Sequence, residues 1–214
     1  MRKLLLLLAL SMLTPDSPIV DVPLGGDLVD RGKWHLQVQG EGVEVAPDRH
    51  GNARGACHFG SSSYLELKPA RQIDHVQEFT LSAWIQPQQH REHNSVISKV
   101  TPSRDFNLQL NVEGRLVAHI NSGVYEFAYS ERRLPLQRWS HVAATFQNRT
   151  WKLYIQGQLD STHPVQQVPL WQGQYLTIGN LYPGSSEGFL GNLDDVRMYA
   201  RAFNAREILE LSRQ

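Results

Sequence analysis

The stretch Phe189–Leu211, FLGNLDDVRMYARAFNAREILEL, contains the end of the fold in miniature. Leu193 to Tyr199 reads as a strand, and Asn204 opens a helix. Side chains in a strand alternate between its faces. Strict alternation places Asp194 with Val196 and Met198, and Asp195 with Arg197 and Tyr199. On that reading Asp195 has a solvated face and a basic neighbour. Asp194 points where apolar residues point, so its carboxylate must be hydrogen-bonded, paired with a cation or bound to a metal. Adjacent strand residues face apart, so the two acids are not expected to aim at one substrate. The helix is short, Ala205 to about Leu211. Asn204 can cap it, Glu207 completes a capping box, and Phe203 and Ile208 have the spacing of a hydrophobic staple.

Upstream of this stretch the pattern is one of short strands separated by polar turns. FTLSAWI (79–85) sets Phe79, Leu81, Ala83 and Ile85 on one face. FNLQLNV (106–112) does the same with Phe106, Leu108, Leu110 and Val112, and Glu113-Gly114 turns it into RLVAHI (115–120) as a hairpin. VYEFAY (124–129) follows. RWSHVAATF (138–146) turns at Asn148-Arg149 into TWKLYIQGQ (150–158), and YLTIG (175–179) precedes the closing strand. Many short strands, one terminal helix and no alternation of strands with helices predict an all-β, antiparallel two-sheet jelly-roll sandwich with one short C-terminal helix.

The 214 residues suffice for one domain with a real core. Lys+Arg and Asp+Glu both number 21, with no basic block, so nucleic acid and anionic membrane surfaces are not expected partners. MRKLLLLLALSML has the short positive start and apolar run of an export signal. Residues 1–17 are therefore read as a signal-like segment without an Ala-x-Ala cleavage site, 18–26 as a linker and 27–214 as the domain. The expected location is secreted, periplasmic or cell-surface. Cys57 is the only cysteine, which excludes an intrachain disulfide and reads as a small buried hydrophobe.

Four segments carry a resemblance: GACHFGSSSYLEL (55–67), FTLSAWIQP (79–87), RWSHVAATFQNRTWKLYIQGQ (138–158) and GFLGNLDDVRMYARAFNAREI (188–208). In this order they resemble the laminin-G-like jelly rolls of the concanavalin A-like lectin/glucanase superfamily. The resemblance implies a structural calcium held by Asp194, with Asp30 as an N-terminal partner and the Gly60 carbonyl as a third ligand. Calcium takes six to eight oxygens at ~2.4 Å. Relatives often carry acids after the Phe of HFGSSSY, where this chain has Gly60 and three serines.

The superfamily also contains glycosidases and lyases. A retaining glucanase needs two carboxylates about 5 Å apart, hence acids at i and i+2 or i+4 on one strand face. Glu41 and Glu44 are three apart, and Glu126 is alone in its strand. His90 and His93 share a loop without metal-ligand spacing. Binding is the expected function. Trp84 and Trp139 are assigned to the core; Trp34, Trp151 and Trp171 are freer. Trp171, in PLWQGQY, and Tyr182, in NLYPGSSEG, are the candidate platforms for sugar rings. The sequence thus predicts an exported, non-catalytic module that recognises carbohydrate or a protein surface. The alternatives are a polysaccharide hydrolase or lyase of the same superfamily, or a structural envelope or matrix protein.

Overall fold

The computed structural model describes residues 17–214. The signal-like segment 1–17 lies almost wholly outside the described residues. In chain order the strands are β1 (Val20–Val22), β2 (Gln37–Glu41), β3 (Glu44–Ala46), β4 (Ala56–Phe59), β5 (Tyr64–Lys68), β6 (Phe79–Pro87), β7 (Asn94–Val100), β8 (Arg104–Leu110), β9 (Arg115–Asn121), β10 (Tyr125–Arg133), β11 (Ser140–Gln147), β12 (Thr150–Ile155), β13 (Gln158–Pro164), β14 (Tyr175–Ile178) and β15 (Gly191–Tyr199). Helix α1 spans Ala205–Leu211.

Two antiparallel sheets form the sandwich. The first runs β13-β12-β11-β6-β15-β4-β3, with β1 added to β15; the second runs β10-β9-β8-β7-β14-β5-β2. Their inner faces interdigitate as the alternation predicts. Phe79, Leu81, Ala83 and Ile85 of β6 meet Phe106, Leu108 and Leu110 of β8, all buried. The Phe79 ring lies 5.4 Å from Phe106 and 5.5 Å from Trp151, edge-on to the latter. Trp151 is therefore a core residue, not a free one: it stands on the inner side of β12 with Leu153. Gly114 takes φ +76° in the β8–β9 turn, a conformation that strains any residue with a Cβ.

Helix α1 forms as its caps dictate. The Asn204 side chain accepts from the Glu207 amide at 3.1 Å, and Glu207 accepts from the Asn204 amide at 2.8 Å. Phe203, Ile208 and Leu211 pack with Tyr199, Ala143 and Tyr154, so the helix covers part of the outer face of the first sheet.

The segment read as a linker, 18–26, is structural. Its middle is β1, paired with Met198, Arg197 and Val196 of the closing strand, and Val20, Val22 and Leu24 are fully buried. Three apolar residues at alternate positions were too short a run to stand out beside Pro18 and Pro23. The domain accordingly takes in residues before Asp27. The run Thr150–Gln158, read as one strand, breaks at Gln156-Gly157, both at positive φ, and returns as β13.

Asp30 fastens this N-terminal strand. Its carboxylate is buried and accepts from the amides of Asp21 (2.8 Å), Gly32 (2.9 Å) and Leu36 (2.8 Å). Removing it leaves three donors to find new partners, each costing about 1 kcal/mol or more. Asp30→Ala is expected to lower unfolding free energy in urea by about 3 kcal/mol, and Asp30→Asn by less. A loss below about 1 kcal/mol for the alanine variant contradicts this role.

Candidate functional site

The two acids of the closing strand do not obey strict alternation. The β15–β6 register slips between Asp194 and Arg197, and Asp195 sits at φ +49°. This β-bulge shifts the face of every residue beyond it. Leu193, Val196 and Met198 all point into the core, while Asp194 lies opposite Trp84 on the outer face. The bulge also turns both carboxylates towards one guanidinium. Arg49 donates from Nη1 to Asp194 and from Nη2 to Asp195 at 2.8 Å. Nη2 also reaches the Gln214 carbonyl at 2.7 Å, and the guanidinium lies 4.8 Å from the Trp84 ring centroid. Arg197 completes the chain, bonding Asp195 at 2.8 Å and Asp21 at 2.9 Å.

The residues expected to hold calcium are therefore engaged elsewhere. Asp194 is held by Arg49, Asp30 by three backbone amides, and the Gly60 carbonyl accepts from the Ser63 amide at 3.1 Å. Among the described residues no three His, Cys, Asp or Glu side chains group as metal ligands. This donor set does not fit a calcium ion; the guanidinium supplies the positive charge at Asp194.

The outer face of the second sheet has a different character. Register places Phe127, His119, Asn107, Ser98, Thr177, Glu66 and Gln39 in one row across all seven strands. Over half of this row the loop 179–188 folds back. Ser98 Oγ donates to the Leu181 carbonyl at 2.7 Å and Thr177 Oγ1 to the Asn180 carbonyl at 2.8 Å. Gly179 starts the loop at φ +77°, pressed so close to the Phe59 ring that a Cβ has no room. Tyr182 sits exposed on this loop.

The other half of the row is open. Tyr125, Phe127 and Tyr129 alternate along β10 as an exposed strip, with Tyr125 and Phe127 stacked at 5.7 Å and nearly parallel, and Phe127 and Tyr129 at 5.9 Å. The edge is braced from behind: Glu126 accepts from the Gln166 and Gln167 amides, and the Tyr129 carbonyl meets His163 Nε2 at 2.8 Å. Beside the strip lies His119, buried, edge-on to Phe127 at 5.0 Å, with no hydrogen-bond partner on either nitrogen. Asn107 is also buried. Its Nδ2 bonds Ser95 and Gln109, but its Oδ1 has no partner. Arg104 lies over the Tyr125 ring at 5.4 Å, and Glu187 of the loop stands 3.9 Å from Arg104 and 3.7 Å from His93. Burial, with lesser contributions from Arg104 and His93, drives the His119 pKa down to about 3, so the ring is neutral and offers one donor and one acceptor.

Of the expected platforms, Tyr182 adjoins this face. Trp171 is half-buried against the core, its ring 6.1 Å from Phe79 and 5.7 Å from Lys99 Nζ. Trp84 and Trp139, expected in the core, are half-buried on the outer side of the first sheet. Trp84 alternates with Leu81, Ala83 and Ile85 in phase and so faces away from them. The strip on β10 was legible as alternation in VYEFAY; His119, Asn107 and Arg49 had no local signal, because their neighbours come from other strands.

The profile of the concanavalin A-like lectin/glucanases superfamily matches residues 59–209. No curated protein matches the chain by sequence. Among solved structures, domain 4 of AbnA, a GH43 extracellular arabinanase from Geobacillus stearothermophilus determined in complex with arabinotriose, superposes with a TM-score of 0.74 at 17% identity, covering 92% of this chain and 98% of that one. The binding domain of Paraclostridial Mosquitocidal Protein 1 gives 0.74 at 16% identity, covering 92% and 52%. The binding domain of botulinum neurotoxin DC in complex with SialylT gives 0.73 at 17%, covering 92% and 51%. The chain thus spans about half the length of these two toxin domains.

The paired acids and the buried histidines lead to three predictions. Arg49→Met leaves buried Asp194 without its cation, Asp195 keeping only Arg197, and is expected to cost about 3–5 kcal/mol. Thermal unfolding of the native chain is expected to coincide with chelator and with added calcium, because a ligand stabilises only a state that binds it; a rise of several degrees with calcium contradicts the fit. The pH profile has a definite sign. Burial lowers the pKa of His119 and His141 from 6.5 to about 3, so each contributes stability that is present above pH 6.5 and lost as pH falls towards 3. Burial, then the Asp195 charge, raise Asp194 from 3.8 to about 7 against the pull of Arg49. Its contribution is present below pH 3.8 and lost as pH rises through 7. Between these limits two protons oppose one, and stability should fall by about 1 kcal/mol per pH unit on acidification. Asp194→Asn removes the opposing proton, so urea midpoints should fall about twice as steeply.

Proposed function

The chain belongs to the concanavalin A-like lectin/glucanase superfamily, and from that premise we propose that it is an exported, non-catalytic binding module for carbohydrate. The observation that carries this reading is the pairing of the Tyr125–Phe127–Tyr129 strip with the unpartnered His119 and Asn107 atoms beside it. A sugar ring has apolar C–H faces and a hydroxyl edge. The strip supplies flat rings for the faces. His119 offers one donor and one acceptor and Asn107 Oδ1 another acceptor, which suits neighbouring hydroxyls that each donate and accept. Tyr182 and Arg104 border the same surface.

Several observations support a non-catalytic role. Glu126 of β10 spends its oxygens on the Gln166 and Gln167 amides, and Asp194 and Asp195 are tied by Arg49. Carbohydrate ligands of the arabinanase and neurotoxin domains are in keeping with this reading. A protein surface is the second reading, favoured by exposed Val124 and Val168 beside the strip.

Titration with arabinotriose and a panel of neutral oligosaccharides tests the proposal. At least one should bind saturably, and Tyr125→Ala/Phe127→Ala should weaken it tenfold or more, about 1.4 kcal/mol, with little change in thermal stability because both side chains are exposed. If no glycan binds, or if the double variant binds like the native chain, the carbohydrate reading falls.

A further inference from the structure

The outer face of the first sheet, opposite the aromatic strip, contains a depression of about 310 Å³ whose walls include Trp84, Trp139, Arg49, His50 and Arg213. Its size is at the lower end of small-molecule sites and suits one ring rather than a chain. Trp139 and Trp84 are half-buried here, Trp84 beneath the Arg49 guanidinium and edge-on to His141 at 5.5 Å. Arg49 is the informative group. Its side chain is only 10% exposed, and its two terminal nitrogens serve Asp194, Asp195 and the Gln214 carbonyl. Its Nε–H is buried and has no acceptor. An unmet donor on a buried cation is costly, and the group that satisfies it best is an anionic oxygen.

The surroundings narrow the ligand. Asp21, Asp195 and Asp194 share the two guanidiniums of Arg197 and Arg49, three carboxylates to two cations, so an anionic ligand must draw on the basic groups of the rim. At the rim, Arg213 and His50 are exposed, and Ser212 and Gln214 add hydroxyl and amide groups. Indole surface, a mixed polar rim and basic side chains together suit a ring with one apolar face, a hydroxyl edge and a negative charge. We propose that this depression is a second ligand site, for a sugar ring bearing a carboxylate, with Trp139 under the ring and Arg49 Nε and Arg213 towards the carboxylate. It is separate from the neutral-sugar surface proposed above, since it lies on the other sheet.

The test is an NMR titration of the native chain with methyl glucuronide and, in parallel, methyl glucoside, following the indole N–H signals. The glucuronide should shift the Trp84 and Trp139 signals saturably, and the glucoside should bind at least tenfold more weakly. Trp139→Ala and, separately, Arg213→Ala should each weaken glucuronide binding at least fivefold. Arg213 is exposed on the last turn of chain, so its variant folds even where a tryptophan variant is compromised. Tyr125→Ala/Phe127→Ala should leave it unchanged, which separates this site from the first. No saturable shift, equal binding of the two glycosides, retention of affinity in Arg213→Ala, or loss in the Tyr125/Phe127 variant each overturns the proposal.

Discussion

Arg49 between Asp194 and Asp195 is the constraint on which the end of the fold depends. The closing strand lies in the middle of the first sheet, with β6 on one side and β1 and β4 on the other. It must present Leu193, Val196 and Met198 inwards, a spacing that strict alternation cannot give. The bulge at Asp195 supplies the missing residue, at positive φ. Its consequence is electrostatic: two neighbouring carboxylates now share one side of the strand. Arg49 between them pulls against the rise that burial and the Asp195 charge impose on Asp194. Arg49 comes from a loop whose own shape is fixed by Asp48, which accepts from the His50 and Asn52 amides at 2.8 and 2.9 Å. One guanidinium thus joins residues 145 positions apart in sequence and also reaches the last residue described.

This explains which parts of the molecule were legible in the sequence. The core strands β6, β9 and β11 were readable because each alternates without interruption, and β8 because its irregularity lies before the alternating run from Phe106. The helix was readable because its capping residues act within four positions. The closing strand was read with its acids on opposite faces, and the error lay in one residue: a bulge leaves no mark in composition, and period-two reasoning passes through it unaware. β1 was missed for a related reason. Three residues have too little pattern of their own, and what makes Val20–Val22 a strand is the free edge of β15 and the amides gathered by Asp30.

The candidate surfaces divide along the same line. Tyr125, Phe127 and Tyr129 sit on one strand, so their common face followed from spacing. His119 and Asn107 become a pair only because β8 and β9 are in register at those residues. The aromatic strip is a local property of the chain; the polar atoms beside it are a property of the sheet.

The two outer faces also differ in how they handle buried polarity. On the first sheet, Asp21, Arg197, Asp195, Arg49 and Asp194 form one ionic chain, with the Arg49 Nε–H and the neighbouring His141 Nδ1 unmet. On the second, neutral groups lie side by side, and the loop 179–188 satisfies Ser98 and Thr177 but stops short of Asn107 and His119. Buried polar atoms without partners are rare in folded proteins, because each forfeits its hydration for nothing. Here they lie beside exposed rings on one face and at the edge of an indole-walled depression on the other, while a further one, Trp151 Nε1, lies within the core. What is left unmet differs between the faces: a neutral imidazole and an amide oxygen on one, a guanidinium N–H on the other.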